Sequence, residues 1–330
     1  CIRDRVGAAR GMLGSGAGEA RQYEAAIAAL ERGVEHAAAT DDDSNLFYSY
    51  AWLSRIAFEQ GRWDEASRFV DDTLRHRHDD GIAAITARCV KGRLRVRRGD
   101  PGGAEVLRNI VDDADEFLFQ YVWNAYCGLA ELAWLSGTPN AATEVIQRGF
   151  ARAMSCDSPW GRGEVGLWTW RLGLIDGPPE GAAEPFALQM RGDWRGAADA
   201  WRTIGCPYEV AMALADGDED AMLEALRIFD DLGAAPAASR LRAVMRDRGI
   251  AGVPRGPSRA TRDNPAGLTQ RQLEELDLID QGLSNAEIAD RLFLSKKTVE
   301  HHVAAVYQKL EVDSRSRAIA VAIDQGIVEI

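Results

Sequence analysis

Leu268-Thr-Gln-Arg-Gln272, Gly282-Leu-Ser-Asn-Ala-Glu-Ile-Ala289, Ser295-Lys-Lys-Thr-Val-Glu-His-His-Val303 and Lys309-Leu-Glu-Val312 follow one another near the end of the chain. The spacing predicts four short helices. Thr269 with Gln272 makes a capping box for the first, which Gly282 ends, with Leu273, Leu276 and Ile279 as its buried face. Ser284 and Glu287 make a second box, and Ile288, Ala289 and Leu292 form the apolar side of that helix. Phe293-Leu294 turns the chain, Ser295 caps a third helix running to about Leu310, and Ser314 caps a fourth that turns Ile319 and Ala322 inward.

Capped helices joined by short turns are the arrangement of a helix-turn-helix reader of duplex DNA extended by one helix. At ~100° per residue the third helix divides cleanly. Val299, Val303, Val306 and Leu310 share one stripe, which must be core, while Lys297, His301, Ala304 and Gln308 lie opposite with Glu300 on their flank. A stripe of small and polar side chains suits the major groove: Lys297 donates to guanine, Glu300 accepts from cytosine N4, His301 does either, and Ala304 allows close approach. Ser295, Lys296, Thr298, Lys309 and Arg315 around the rim are the expected phosphate contacts.

A net charge of −12 looks wrong for such a partner until the charges are placed. Of four lysines, three (296, 297 and 309) sit on or beside the third helix, whereas Glu274, Glu275, Asp277, Asp280 and Asp290 belong to the first two. The domain stays slightly acidic overall, so binding by one copy should be weak and salt-sensitive, and tight only after dimerisation or assembly.

Residues 19 to about 248 are rich in alanine, with apolar residues at helical spacing. Gly61-Arg-Trp-Asp-Glu-Ala66, Gly99-Asp-Pro-Gly-Gly-Ala104 and Gly137-Thr-Pro-Asn-Ala-Ala142 recur at a spacing of 38 (99 − 61 and 137 − 99). Arg21 to Ala26 lies 40 before the first, without the Gly, and Gly192 to Ala197 lies 55 after the last. Each reads as a helical hairpin, with the Gly left-handed at the end of one helix and the Ala letting the next approach. The expectation is an all-α chain: a helical-hairpin repeat array similar to tetratricopeptide repeats over 1–248, with a concave binding surface. A Pro/Gly/Arg linker follows over 249–267, then the four-helix domain over 268–330.

Five scattered cysteines without a CxxC pair suggest free thiols in a reducing cytoplasm, and no apolar run approaches the ~20 residues of a membrane span. The chain begins at Cys1 rather than Met, from which we expect a piece of a longer polypeptide.

The stretch Leu268 to Val328 resembles the DNA-binding domain of the LuxR/GerE family of bacterial regulators. The residues that carry the likeness are Leu268-Thr269, Gly282, the run 283–289, Leu292, Ser295, Thr298-Val299, His302, Lys309-Leu310, Val312, Arg315 and Ala318. The resemblance implies that Glu300, His301 and Ala304 face bases and that the fourth helix mediates a homodimer. Glu300 stands where many members carry Lys. A repeat array, a linker and this domain together resemble the C-terminal part of large ATP-binding LuxR-type regulators. This chain has no GxxxxGK[ST], so ATP is expected only if an ATPase module precedes Cys1.

The remaining motifs read more plainly as structure. His301 and His302 point ~100° apart and make a poor metal pair. Asp216-Gly-Asp-Glu-Asp220 starts like a calcium loop but has Ala221 and Arg227 where Gly and Glu are needed, so it reads as helix-capping. His76 and His78 have HxH spacing in a solvated turn. Trp168 and Trp170 are either hairpin packing or the wall of a ligand groove. No catalytic constellation is legible. The expected function is sequence-specific transcriptional regulation, with the array as sensor for a small-molecule or protein effector. The alternatives are a protein-docking scaffold and an ATPase-switched regulator.

Overall fold

A computed structural model describes residues 2–76, 81–254, 256, 266, 268, 270–292, 294–310, 312–325 and 327–328. These are helices and turns, with no strand among the described residues. They form two compact units, Cys1–Val253 and Pro254–Ile330. No described helix is long and apolar enough to cross a membrane.

The first unit runs α1 (Ile2–Glu19), α2 (Tyr23–Thr40), α3 (Asp43–Glu59), α4 (Trp63–His76), α5 (Ile82–Arg98), α6 (Gly103–Asp112), α7 (Phe119–Leu135), α8 (Thr143–Met154), α9 (Pro159–Arg171) and α10 (Glu184–Met190). It continues with α11 (Trp194–Ile204), α12 (Pro207–Leu214), α13 (Glu219–Asp231) and α14 (Ala235–Asp247). The hairpin signals fall between α1 and α2, α3 and α4, α5 and α6, α7 and α8, and α10 and α11.

All five hairpins close in one way. Gly61, Gly99, Gly137 and Gly192 have φ of 76°, 85°, 69° and 84°, and Arg21, which stands where the glycine is missing, has φ 61°. The next amide then donates to the carbonyl five residues back: Gln22 to Ala17, Arg62 to Ala57, Asp100 to Arg95, Thr138 to Ala133 and Asp193 to Leu188, at 2.8–3.0 Å. This is the Schellman closure, which satisfies helix-end carbonyls that would otherwise be orphaned. Ala26, Ala66, Ala142 and Ala197 are buried, as a close approach of the two helices requires. In the third hairpin the close approach falls on Gly103 instead, where a Cβ would lie 3.0 Å from the Gly92 carbonyl oxygen.

Within the array α1, α3, α5, α7 and α9 each pack on the next, and α14 returns against α5 and α7. Pro207 meets Gly61, and Pro236 meets Gly99. Ile250 and Val253 pack on the same core, so the unit runs to Val253. The array therefore closes on itself, and this changes the expected concave surface.

Its inner face is filled by its own charges. Arg93 donates to Asn124 Oδ1 at 2.8 Å, Glu164 Oε1 at 2.5 Å and Glu131 Oε2 at 3.2 Å. Arg97 binds Glu131 at 3.0 Å and Glu209 at 2.9 Å, with its guanidinium 3.6 Å from the centre of the Tyr208 ring. Arg55 bonds Glu59 at 3.1 Å between Trp52 and Trp123, and Arg21 pairs with the same Glu59. Trp168 is buried against Trp134 rather than lining a groove, and Trp170 stacks beside Arg171.

Candidate nucleic-acid interface

The second unit holds α15 (Gln270–Asp280), α16 (Asn285–Leu292), α17 (Lys296–Lys309) and α18 (Arg315–Asp324). Thr269, Phe293, His78 and most of the linker lie outside the described residues. Gly282 ends the first turn at φ 85°, and the Leu283 amide donates to the Leu278 carbonyl at 3.1 Å. The Ser284–Glu287 box forms in both directions, with Ser284 N–H donating to Glu287 Oε2 at 2.8 Å and Glu287 N–H to Ser284 Oγ at 3.4 Å. Those bonds hold the Glu287 carboxylate below its ordinary value. Ser295 accepts from the Thr298 amide at 3.1 Å and so starts α17. Ser314 stands in extended backbone before α18, but its side chain makes no capping bond, against expectation.

Two small cores fix α17. Val299 and Val303 pack with Leu278, Ile279, Ile288 and Ala289, while Val306 and Leu310 pack with Leu268, Leu276, Ala318 and Ala322. Tyr307 touches both. The opposite stripe is open: Lys297, Glu300, His301, Ala304 and Gln308 are all exposed. A rigid helix thus presents a continuous outer face, the geometry that enters a major groove.

The expected phosphate residues divide. Lys296 is exposed and 3.8 Å from Glu300, an i,i+4 pair worth about 0.3–0.5 kcal/mol that a phosphate can displace at little cost. Ser295 and Thr298 share a hydroxyl contact of 2.7 Å at the start of α17. Lys309 donates to Gln272 Oε1 at 2.9 Å, and partial burial lowers the pKa of its ammonium. Arg315 donates through Nη2 to the carbonyls of Ile279 (3.1 Å) and Leu283, so it ties α18 to the C-terminal end of α15, where a cation belongs.

Behind the helix lies polar support that sequence reasoning missed. Glu275 is fully buried and its Oε1 lies 2.7 Å from His302 Nδ1, while Gln272 is buried beneath Lys309. The signal was present: Gln272, Glu275, Leu276 and Ile279 share one helical stripe, and an acid in an apolar stripe needs a partner. His302 is that partner, pinning α17 to α15 from the side opposite the exposed stripe. The capping residues of the calcium-like segment are likewise committed: Asp218 accepts from the Ala221 amide at 3.1 Å, and Asp216 takes Arg171 at 2.7 Å.

Helices α15–α18, with an open α17 locked from behind, define the class of helix-turn-helix DNA readers. Residues 266–322 match the family described as bacterial regulatory proteins, luxR family, and form a luxR-family helix-turn-helix domain. Among similar proteins is an HTH-type transcriptional regulator, Rv0890c, of Mycobacterium tuberculosis, 30% identical over 278 residues that cover 83% of this chain and 26% of the relative. That stretch is longer than the first unit alone and so enters both. The transcriptional regulatory protein DegU of Brevibacillus brevis is 40% identical over 63 residues, 19% of this chain and 27% of that protein. The oxygen regulatory protein NreC of Staphylococcus carnosus is 40% identical over 62 residues, 19% of this chain and 29% of that protein. The chain spans between a quarter and a third of the length of these relatives. No solved structure matches it.

Proposed function

We propose that this chain acts as a cytoplasmic, sequence-specific transcriptional regulator that binds duplex DNA as a homodimer through its luxR-family domain. The observation that carries the reading is the outer face of α17, where Lys297, Glu300, His301 and Ala304 are exposed on a helix whose other face lies in two cores. In this reading Lys297 donates to guanine and Glu300 accepts from cytosine, with His301 and Ala304 completing the base-edge contacts. Ser295, Lys296, Thr298 and Lys309 place the helix on the phosphates, and Arg315 serves mainly to hold the helices that present it. The α18 helix supplies the dimer contact. The helical array, through the linker, sets how far the reader is available and receives a small-molecule or protein effector.

Selection of duplexes from a random library by the 330-residue chain at low and physiological salt tests this. Enrichment of a two-half-site sequence is the expected result, with affinity falling steeply as salt rises. Retention of all duplexes alike, or of none, would favour a protein-docking scaffold.

A further inference from the structure

Seven arginines and a single acid, Asp247, fall between Arg240 and Arg262, a surplus of six positive charges (7 − 1) in a chain whose net charge is −12. Along the chain this block lies between the array and the reader. Its first two members belong to the array: the Arg240 guanidinium lies 4.0 Å from the centre of the Trp134 ring, and Arg242 pairs with Asp230. Arg246 and Arg248, at the C-terminal end of α14, are placed differently. Both are exposed, and neither has a carboxylate partner among the described residues. Arg246 Nε donates to the Arg242 carbonyl at 3.1 Å, and Arg248 Nη1 donates to Met222 Sδ at 3.8 Å.

Exposed arginines on other helices have acids at hand. Arg32, Arg68, Arg108 and Arg227, on α2, α4, α6 and α13, each have one three or four positions away, where side chains on one helix face meet. None of the positions three and four away from Arg246 or Arg248 holds an acid, and Asp247 points ~100° away from each. A helix end favours a cation within its last turn, which accounts for these two arginines at most and not for Arg255, Arg259 and Arg262 after them. Unquenched positive charge next to a DNA-binding domain in the chain is complementary to phosphate. We propose that Arg246 and Arg248 contact phosphates of the duplex that the luxR-family domain reads, outside its half-sites; this rests on α17 reading that duplex.

Reach and range both permit this. Leu268 follows Arg248 by 20 residues (268 − 248), and that much chain spans at most ~70 Å. At ~3.4 Å per base pair this is roughly 20 base pairs, so DNA flanking a half-site is within reach. Charges more than about 8–10 Å away are largely screened at physiological salt, so a phosphate beside the end of α14 meets these arginines and not the net charge of the chain. Phosphate contacts carry no sequence information, so they add affinity and leave discrimination to α17.

The test uses the 330-residue chain and a duplex that it selects, once with about 20 base pairs beyond each half-site and once trimmed to the half-sites. On the long duplex, Arg246→Gln with Arg248→Gln should weaken binding at physiological salt on the order of tenfold. The slope of log affinity against log salt should become shallower by about 1.8 per bound chain, ~0.9 for each phosphate lost. Trimming should cost the unaltered chain as much and the double variant nothing. Arg246→Lys with Arg248→Lys keeps both charges and should keep the slope, which separates phosphate contact from a change in α14 itself. An unaltered slope in the glutamine variant, a slope that lysine does not keep, or equal trimming losses in both proteins would overturn the contact and leave the reader intact. Failure of the unaltered chain to select any duplex would overturn the reading of α17, and the contact with it.

Discussion

Arg97 is 2% exposed and its nearest neighbours are two carboxylates and two aromatic rings. Removing a guanidinium from water costs several kcal/mol, and only its pairing with Glu131 and Glu209 and the face of Tyr208 offsets that. The cost is thus exposed only when the pair is broken. Arg97→Met should destabilise the protein by about 3–5 kcal/mol in urea unfolding, because Glu131 is left fully buried and short of a partner. Lys296→Ala, which breaks a solvated i,i+4 pair with Glu300, should change stability by less than about 0.5 kcal/mol. Similar effects for the two would mean that the array is not closed around Arg97.

At the scale of elements, the hairpin glycines separate two costs that are usually mixed. Gly192 is left-handed, and nothing lies within 4 Å of the point where a Cβ would stand, so Gly192→Ala should cost only the left-handed strain, about 1–2 kcal/mol. At Gly61 a Cβ would lie 2.7 Å from Pro207 Cγ, so Gly61→Ala should lose clearly more, since the returning helix α12 must shift. Comparison of the two denaturation midpoints checks this, and equal losses would contradict it. The same residues show what was readable in advance. The Gly at one helix end announces four of the five hairpins, and the buried Ala five residues on marks three of those, because backbone strain and close approach are local demands. Ser284, Glu287 and Ser295 announce the reader's helices for the same reason. Arg97 and Glu209, by contrast, stand 112 positions apart, and nothing local says that they meet. The closed, charge-filled interior was invisible for that reason, and so was Glu275 under His302, which needed α15 and α17 laid side by side.

For the whole molecule, the two units differ in what they bury and what they leave outside. The first adds a network of buried charges to its apolar core; the second buries apolar stripes with one acid, Glu275, and leaves Lys297, Glu300, His301 and Ala304 outside. With a net charge of −12 the chain gains little from general attraction to DNA, so the proposed reading asks those side chains to supply the discrimination. Given a duplex selected by the intact chain, the most direct measurement is the affinity of Lys297→Ala, His301→Ala and Lys309→Ala for that duplex and for a scrambled one. The first two should lose about 1–3 kcal/mol on the selected sequence and little on the scrambled one, while Lys309→Ala should weaken both alike. Equal losses on both duplexes for all three variants would contradict base reading by α17.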